Sequence, residues 1–187
     1  VARDLRGRGF QVVGVARKLQ ASHTSGFDLE LAVMSMEAAT LARLLREHRI
    51  DVVVNCLGVL QDGPGSDTMA VHRDFVARLL QALRESKRTI RLVHISIPGT
   101  TETDRTAFST TKREAERLIA SSGVPYTILR PGFVVALAAY GGSAMVRSLD
   151  TSDEAIDRWF ASFATRLKPG HELEPRRKGA PEPKALL

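Results

Sequence analysis

The sequence has little of three features that would restrict its class. It contains one cysteine, Cys56, among 187 residues, so no internal disulfide can form and a reducing compartment is expected. Aromatic residues make up only 5% of the chain, and few lie near its basic ends, unlike the interleaved pattern of nucleic-acid binders. No apolar run reaches the ~20 residues of a membrane helix. We therefore predict a soluble, cytoplasmic protein that binds neither nucleic acid nor membranes.

The rest of the composition is that of a globular domain. Hydrophobic residues make up 43% and charged residues 26% of the chain, and this length predicts a single domain with its own core. The net charge of +6 lies mainly at the two ends of the sequence. Two interpretations fit this distribution: solvated ends, or local attraction for an anionic cofactor.

Strand and helix patterns alternate along residues 10–135. Short apolar runs predict strands, and apolar residues at helical spacing predict helices. The predicted strands are 10–16, 27–33, 50–58, 89–97 and 124–135, and the predicted helices are 36–49, 68–86 and 106–122. This succession predicts an α/β fold with a doubly wound parallel sheet.

The pattern weakens after residue 149. Residues 150–168 predict an amphipathic helix that opens with a capping box from Thr151 to Glu154. Residues 169–187 are rich in proline and charge, which predicts a disordered, basic tail.

Four segments carry a resemblance to a known family. "VVVNCLG" (52–58), "RLVHISI" (91–97), "FSTTKREAE" (108–116) and "VPYTILRPGFV" (124–134) follow one another in order. Together they resemble the atypical short-chain dehydrogenases/reductases of the NmrA-like, NAD(P)-binding kind. The resemblance implies that residues 1–149 form a partial Rossmann-like NAD(P)-binding domain.

The resemblance also implies roles for three residues. Lys112 would hydrogen-bond the nicotinamide ribose, and Ser96 would polarise a substrate carbonyl. Phe108 stands where the family has the catalytic tyrosine of its YxxxK motif, so that hydroxyl is missing. Two alternatives are that Lys112 faces solvent paired with Glu116, and that the Ser96 hydroxyl bonds local backbone.

The cofactor contacts implied by the resemblance lie at the ends of predicted strands, where doubly wound sheets bind ligands. Asn55, Gly58, Pro131 and Gly132 occupy such ends. Arg17 follows the first predicted strand and would accommodate the 2′-phosphate of NADP, with NAD as the alternative cofactor. The absence of a Cβ at Gly58 would let backbone approach the cofactor. The alternatives are that Gly58 is a plain strand-to-loop turn residue and that Arg17 is a solvated one. We predict no metal site.

Two further features concern the fourth helix of the family and its first strand. His72 would relay protons at neutral pH, or be a partly exposed helix residue without a special role. The family's first strand and its GxxGxxG turn should precede Val1. We therefore expect a fragment or a misassigned start, in which the two strands flanking the missing one expose their edges or pair with each other.

These features predict an NAD(P)-dependent oxidoreductase acting on a small carbonyl or quinone-like substrate, impaired if the chain is a fragment. The alternative is a non-catalytic NADP-binding sensor or scaffold. The sequence does not define the oligomeric state.

Overall fold

The computed structural model describes residues 2–17, 28–132 and 184–186. The strands are β1 Gln11–Val13, β2 Val15–Ala16, β3 Leu29–Glu30, β4 Val52–Asn55, β5 Arg91–Ile95, β6 Tyr126–Leu129 and β7 Lys184–Leu186. The α-helices are α1 Ala2–Gly7, α2 Ala38–Glu47, α3 Phe75–Glu85 and α4 Ala107–Ala120. A π-helical segment, Met69–Asp74, leads into α3, and 3-10 turns lie at Val33–Ser35 and Thr101–Thr103.

The strands form a five-stranded sheet in the order β1-β7-β4-β5-β6, and β2 and β3 form a separate pair. Every pairing within both sheets is parallel. Since β4, α3, β5, α4 and β6 follow one another along the chain, the parallel pairs β4–β5 and β5–β6 are each connected by a helix, which is the usual crossover between parallel strands. The predicted α/β fold with a Rossmann-like parallel sheet is confirmed for these residues.

The core lies between the sheet and the helices. Helix α2 buries one stripe, Ala38, Leu41, Ala42 and Leu45. The facing stripe of α3 is Val76, Leu79, Leu80 and Leu83, and all eight residues belong to one buried cluster. The 3.6-residue period places these positions on one face of each helix, so the pattern that predicted the helices also defines the core.

The first predicted strand, 10–16, is two strands separated at Gly14. The Gly14 N–H donates to Asp28 Oδ1 at 2.7 Å, and the same carboxylate pairs with Arg6. This amide is therefore bonded to a side chain instead of a neighbouring strand. The chain changes sheet here: β1 belongs to the large sheet and β2 pairs with β3.

The position between β1 and β4 is filled by β7, which corrects two expectations. The flanking strands neither expose their edges nor pair with each other, because Ala185 is in register with both Val12 and Val52. Lys184–Leu186 were expected in a disordered tail, but form a central strand. This three-residue segment pairs with all three residues of β1 and with Val52 and Val53 of β4, so it gives backbone partners to both flanking strands. The amphipathic helix predicted at 150–168 lies outside the described residues.

Candidate functional site

The site begins with Lys112, which α4 carries in its second turn. Thr106 caps the helix through a reciprocal pair of hydrogen bonds with Ser109, which fixes where the helix begins. Lys112 is 5% exposed, and its Nζ donates to the Leu57 carbonyl at 3.3 Å and the Ile95 carbonyl at 3.1 Å. The alternative of a solvent-facing lysine paired with Glu116 is therefore wrong. Burial lowers the pKa of Lys112, because desolvation penalises its charge.

His72 lies beside the residue that replaces the family's tyrosine. Its ring meets Phe108 edge-on, with 5.4 Å between ring centroids. His72 is 1% exposed, so the expectation of a partly exposed helix residue is wrong. The Val59 N–H donates to His72 Nε2 at 3.1 Å, and Nδ1 lies 2.8 Å from Thr111 Oγ1. Burial, with a contribution from Lys112, lowers the pKa of His72 to about 4. The partner of Nε2 is a backbone N–H, which does not give up its proton at neutral pH, so on this side His72 has a structural bond and not a proton-transfer partner.

Asn55 and His94 form a buried pair at the ends of β4 and β5. Asn55 Nδ2 lies 3.2 Å from His94 Nδ1, and Asn55 Oδ1 accepts from the Leu57 N–H at 3.1 Å. The Asn55 amide therefore braces the turn that follows β4. Burial lowers the pKa of His94 to about 4, so this imidazole is neutral at pH 7.

Ser96 follows β5 directly and is 5% exposed. Its backbone N–H donates to the Leu129 carbonyl at 2.7 Å. Its hydroxyl makes no hydrogen bond of 3.5 Å or less within the described residues, although it lies near enough to Glu116 to help lower the pKa of that carboxyl. The expected bond from this hydroxyl to local backbone is not present, and the Glu116 carboxylate is the polar group beside it.

Gly58 is exposed and lies between the two residues that contact Lys112 and His72. A Cβ added to Gly58 would lie 3.5 Å from Lys112 Nζ and 3.6 Å from His72 Nε2. Both distances are ordinary van der Waals contacts. The open side of Gly58 therefore faces these two side chains, and its backbone is packed against them.

An apolar cavity of about 150 Å³ adjoins this turn. Its lining includes Val15, Val33, Leu41, Val53, Phe75 and Leu79, together with the strand-end residues Asn55, Cys56 and Leu57. The volume is below the about 300–1,000 Å³ of sites that enclose a whole small ligand, so the cavity suits one ring system. Arg17 is exposed immediately after β2, the strand that contributes Val15 to the lining. Pro131 follows β6, which pairs with β5 on the side away from β4, and Gly132 is the next residue in the sequence.

A charged network on α4 was not predicted from the sequence. Arg113 donates to Asp104 at 3.2 Å and to Glu116 at 3.1 Å, and Arg130 holds both Glu116 oxygens at 2.9 and 2.8 Å. Burial raises the pKa of Glu116, but the bonds and charges of Arg130 and Arg113 outweigh it, and the pKa is lowered to about 2. The sequence feature that could have indicated this network is the i, i+3 spacing of Arg113 and Glu116 on a helix face that also carries buried residues.

The described residues contain no group of three or more His, Cys, Asp or Glu side chains that could hold a metal ion. Within the same ranges, no helix combines the length and apolar character that crossing a membrane requires.

The parallel sheet, with polar side chains and a buried lysine where its strands end, defines a Rossmann-type nucleotide-binding domain. The sequence profile of a protein family described as NAD(P)H-binding matches residues 1–160. The chain belongs to this NAD(P)H-binding family, and the resemblance to atypical short-chain dehydrogenases/reductases is confirmed.

Solved structures share the fold at low sequence identity. The Thermus thermophilus UDP-glucose 4-epimerase complexed with NAD is similar over 78% of this chain and 55% of its own, at 16% identity and a TM-score of 0.60. The Bordetella bronchiseptica enzyme WbmH in complex with NAD+ is similar over 72% and 51%, at 17% identity and a TM-score of 0.56.

A short-chain dehydrogenase from Burkholderia cenocepacia in complex with NADP is similar over 99% of this chain and 80% of its own, at 16% identity and a TM-score of 0.52. The chain spans about half the length of the first two structures. No curated protein matches the sequence significantly.

Proposed function

We propose that this chain is the nucleotide-binding domain of an NAD(P)-dependent oxidoreductase acting on a small carbonyl, enone or quinone-like substrate. The observation that carries the proposal is the position of Lys112. Its ammonium is buried where β4 and β5 end, bonded to the carbonyls of Leu57 and Ile95. Ligands of doubly wound sheets bind beyond these strand ends, and family membership supplies the class of ligand.

The described residues fit parts of a dinucleotide. The apolar cavity beside Asn55 and Leu57 suits an adenine ring, and Arg17 would meet a ribose 2′-phosphate. Lys112 would hydrogen-bond the nicotinamide ribose, with Gly58 and the Pro131-Gly132 turn beside it. The GxxGxxG pattern does not occur in the described residues, so these assignments leave the pyrophosphate contacts open. When bound, the nicotinamide ring supplies or accepts the hydride.

NADP is the proposed cofactor, because a guanidinium complements a phosphate and an acidic residue would instead favour the free hydroxyl of NAD. The Ser96 hydroxyl is the proposed carbonyl-polarising group, since it is buried at the end of β5 and bonds no local backbone group. The cytoplasm is the proposed compartment, because its reducing conditions keep the thiol of Cys56 reduced.

A second candidate function is a non-catalytic NADP sensor or scaffold. The observation that favours it is Phe108, which lies one turn before Lys112 and has no proton to donate. His72, its neighbour, is neutral and has both nitrogens bonded. The described residues around the lysine therefore offer a binding site more clearly than a proton donor.

The test measures NADPH and NADH binding by fluorescence titration, followed by NADPH oxidation with a panel of carbonyl and quinone substrates. We expect Lys112→Ala to weaken NADPH binding about tenfold or more, as for loss of a charged hydrogen-bond donor. Lys87→Asn, at an exposed lysine with a φ of 54° that asparagine tolerates, should leave binding unchanged. Absence of both NADPH and NADH binding by the wild type would reject both candidate functions, and binding without turnover would favour the sensor.

The preference for NADP has its own variant. Arg17→Glu should weaken NADPH binding and spare NADH binding. Arg117→Glu reverses the same charge at an exposed position on α4 and should affect neither. If the Arg17→Glu protein binds NADPH and NADH with the same affinities as the wild type does, the assignment of Arg17 is wrong.

A further inference from the structure

We propose that His72 is a positioning residue for Lys112, because it fixes the turn Leu57–Val59 that holds the Lys112 ammonium. The proposal rests on the proposed function only in taking Lys112 as the residue that binds the dinucleotide. The geometric part, a bridge from this turn to α4 through one imidazole, depends only on the protein.

The hydrogen bonds define which nitrogen of His72 carries the proton. The Thr111 hydroxyl donates to the Ala107 carbonyl at 2.7 Å, so its oxygen is left to accept from the imidazole. His72 Nδ1–H therefore donates to Thr111 Oγ1 at 2.8 Å, and Nε2 accepts from the Val59 N–H at 3.1 Å. A neutral Nδ1–H imidazole satisfies both bonds, and it joins the turn after β4 to the helix that carries Lys112.

The same turn is bonded to the lysine. Leu57 accepts from Lys112 Nζ at 3.3 Å, and Val59, two residues later, donates to His72. Gly58 lies between them and packs against the Lys112 and His72 side chains. A Cβ built on Gly58 would lie 3.5 Å from Lys112 Nζ and 3.6 Å from His72 Nε2. Only Gly58 separates the two anchoring points, Leu57 and Val59, so a shift of Val59 moves the Leu57 carbonyl and the ammonium bonded to it.

The backbone places His72 for this contact. His72 lies within the π-helical segment Met69–Asp74, and such segments are rare and insert an extra residue that re-aims the side chains around it. The segment packs against α4, and His72 and Phe108 meet edge-on across that interface. An aliphatic residue would fill the space, but would leave the Val59 N–H and the Thr111 oxygen without these bonds.

The first arm of the test needs no ligand. The whole chain, labelled with nitrogen-15 in histidine and carbon-13 at lysine Cε, is examined by NMR at pH 7. We expect the Nδ1–H tautomer for His72 and a Lys112 Cε signal displaced from those of exposed lysines. His72→Ala should move that signal toward the exposed position, and His72→Gln, whose amide oxygen can accept from Val59, should restore it in part. An unchanged Lys112 signal in folded His72→Ala would overturn the proposal.

A milder pair of variants covers the case in which His72→Ala does not fold. Thr111→Ser keeps the hydroxyl that accepts from Nδ1–H, whereas Thr111→Val removes it and keeps the shape. Thr111→Val should change the His72 tautomer populations and displace the Lys112 signal, and Thr111→Ser should not. His48→Ala, at the C-terminal cap of α2, is the control for loss of a histidine. Identical Lys112 signals in both Thr111 variants would overturn the proposal.

The second arm separates positioning from a general loss of structure. His72→Ala should weaken NADPH binding about tenfold, the scale of one lost buried hydrogen bond, and by less than about twofold when Lys112 is already alanine. Equal losses in both backgrounds would show a merely structural role. If the wild type binds neither NADPH nor NADH, the proposed function fails, while the ligand-free NMR arm still decides whether His72 positions Lys112.

Discussion

The Lys112 ammonium lies 3.1 Å from the Ile95 carbonyl, which joins the second turn of α4 to the last residue of β5. A second bond joins it to the Leu57 carbonyl after β4. One side chain thus connects a helix to the ends of two adjacent strands. The Lys112 ammonium is buried in this position. Its desolvation costs free energy, which the two hydrogen bonds to carbonyls offset only in part.

Lys112 should leave a signature in the alkaline stability of the protein. Its pKa is lowered in the folded state from an ordinary value of 10.5 by burial, so between these two pKa values the unfolded chain binds more protons than the native one. Its contribution to the free energy of unfolding therefore rises with pH through that window. Urea unfolding from pH 7 to 10 should show the wild type gaining stability relative to Lys112→Met. A constant stability difference between wild type and Lys112→Met across this range would contradict the assignment.

The two buried histidines should make the protein sensitive to mild acid. Their pKa values are lowered from 6.5 to about 4, chiefly by burial and next by the charge of Lys112. From pH 6.5 down to about 4 the unfolded chain binds protons that the native state excludes, so the free energy of unfolding falls as the pH falls. The contribution of each imidazole is on the order of 3 kcal/mol.

The measurement is urea unfolding at intervals between pH 4 and 7. His94→Gln, which keeps an acceptor for Asn55 but does not titrate, should reduce the dependence of the free energy of unfolding on pH. A wild-type stability that is flat below pH 6.5 would contradict the burial of neutral imidazoles.

Much of the fold was accessible from the sequence because it depends on local pattern. The stripe Leu41–Leu45 on α2 and the apolar run of β4 each report their burial through residue type and spacing. The position of β7 could not be predicted, because Lys184–Leu186 contain too little pattern to indicate a strand, and their pairing depends on a gap between strands far away in the sequence.

The candidate site was accessible only in part for a similar reason. The spacing of Phe108 and Lys112 indicated a shared helix face, and the order of the strands placed Asn55 and Ser96 at one edge of the sheet. The bonds from His72 to Val59 and Thr111 join residues 13 and 39 positions apart, and sequence spacing gives no sign of them.

Loss of the buried Arg113 guanidinium should lower the free energy of unfolding more than loss of the exposed Arg130 guanidinium does. The Arg113 side chain is 7% exposed and bonds Asp104, Glu116 and the carbonyls of Ile97 and Pro98. Arg113→Met leaves buried charges and acceptors unpaired, which typically costs about 3–5 kcal/mol. Arg130 is 49% exposed, and its loss should cost less than about 1 kcal/mol.

Chemical denaturation of the two variants measures this difference. Arg117→Met, at an exposed position on the same helix, is the control and should be close to neutral. Comparable losses for Arg113→Met and Arg130→Met would show that burial does not govern this network.

Strand β7 should be needed for a stable sheet, because Ala185 is in register with strands on both sides. Ala185→Pro removes a backbone donor and leaves a buried acceptor unpaired, which costs about 1–3 kcal/mol before any loss of neighbouring pairs. It should also favour association through the opened strand edges. Urea unfolding and light scattering measure both effects, with Ala185→Val as a control that keeps the ladder. Unchanged stability of the proline variant would exclude a central role for this strand.

Phe108→Tyr tests whether the site lacks only a proton donor. The half-buried ring already contacts His72 edge-on, and Lys112 lies one turn later on the same face. A hydroxyl added here would have a nearby ammonium to lower its pKa. If the domain is an oxidoreductase, the rate of NADPH oxidation should rise by about 10²-fold, the lower end of the contribution of a general acid.

NADPH affinity should not change, and Phe108→Leu, which removes the ring and adds no hydroxyl, should not raise the rate. If Phe108→Tyr binds NADPH but oxidises it no faster than the wild type, the site does not lack only a proton donor. That result would favour the sensor, because the added hydroxyl would have no reaction to serve.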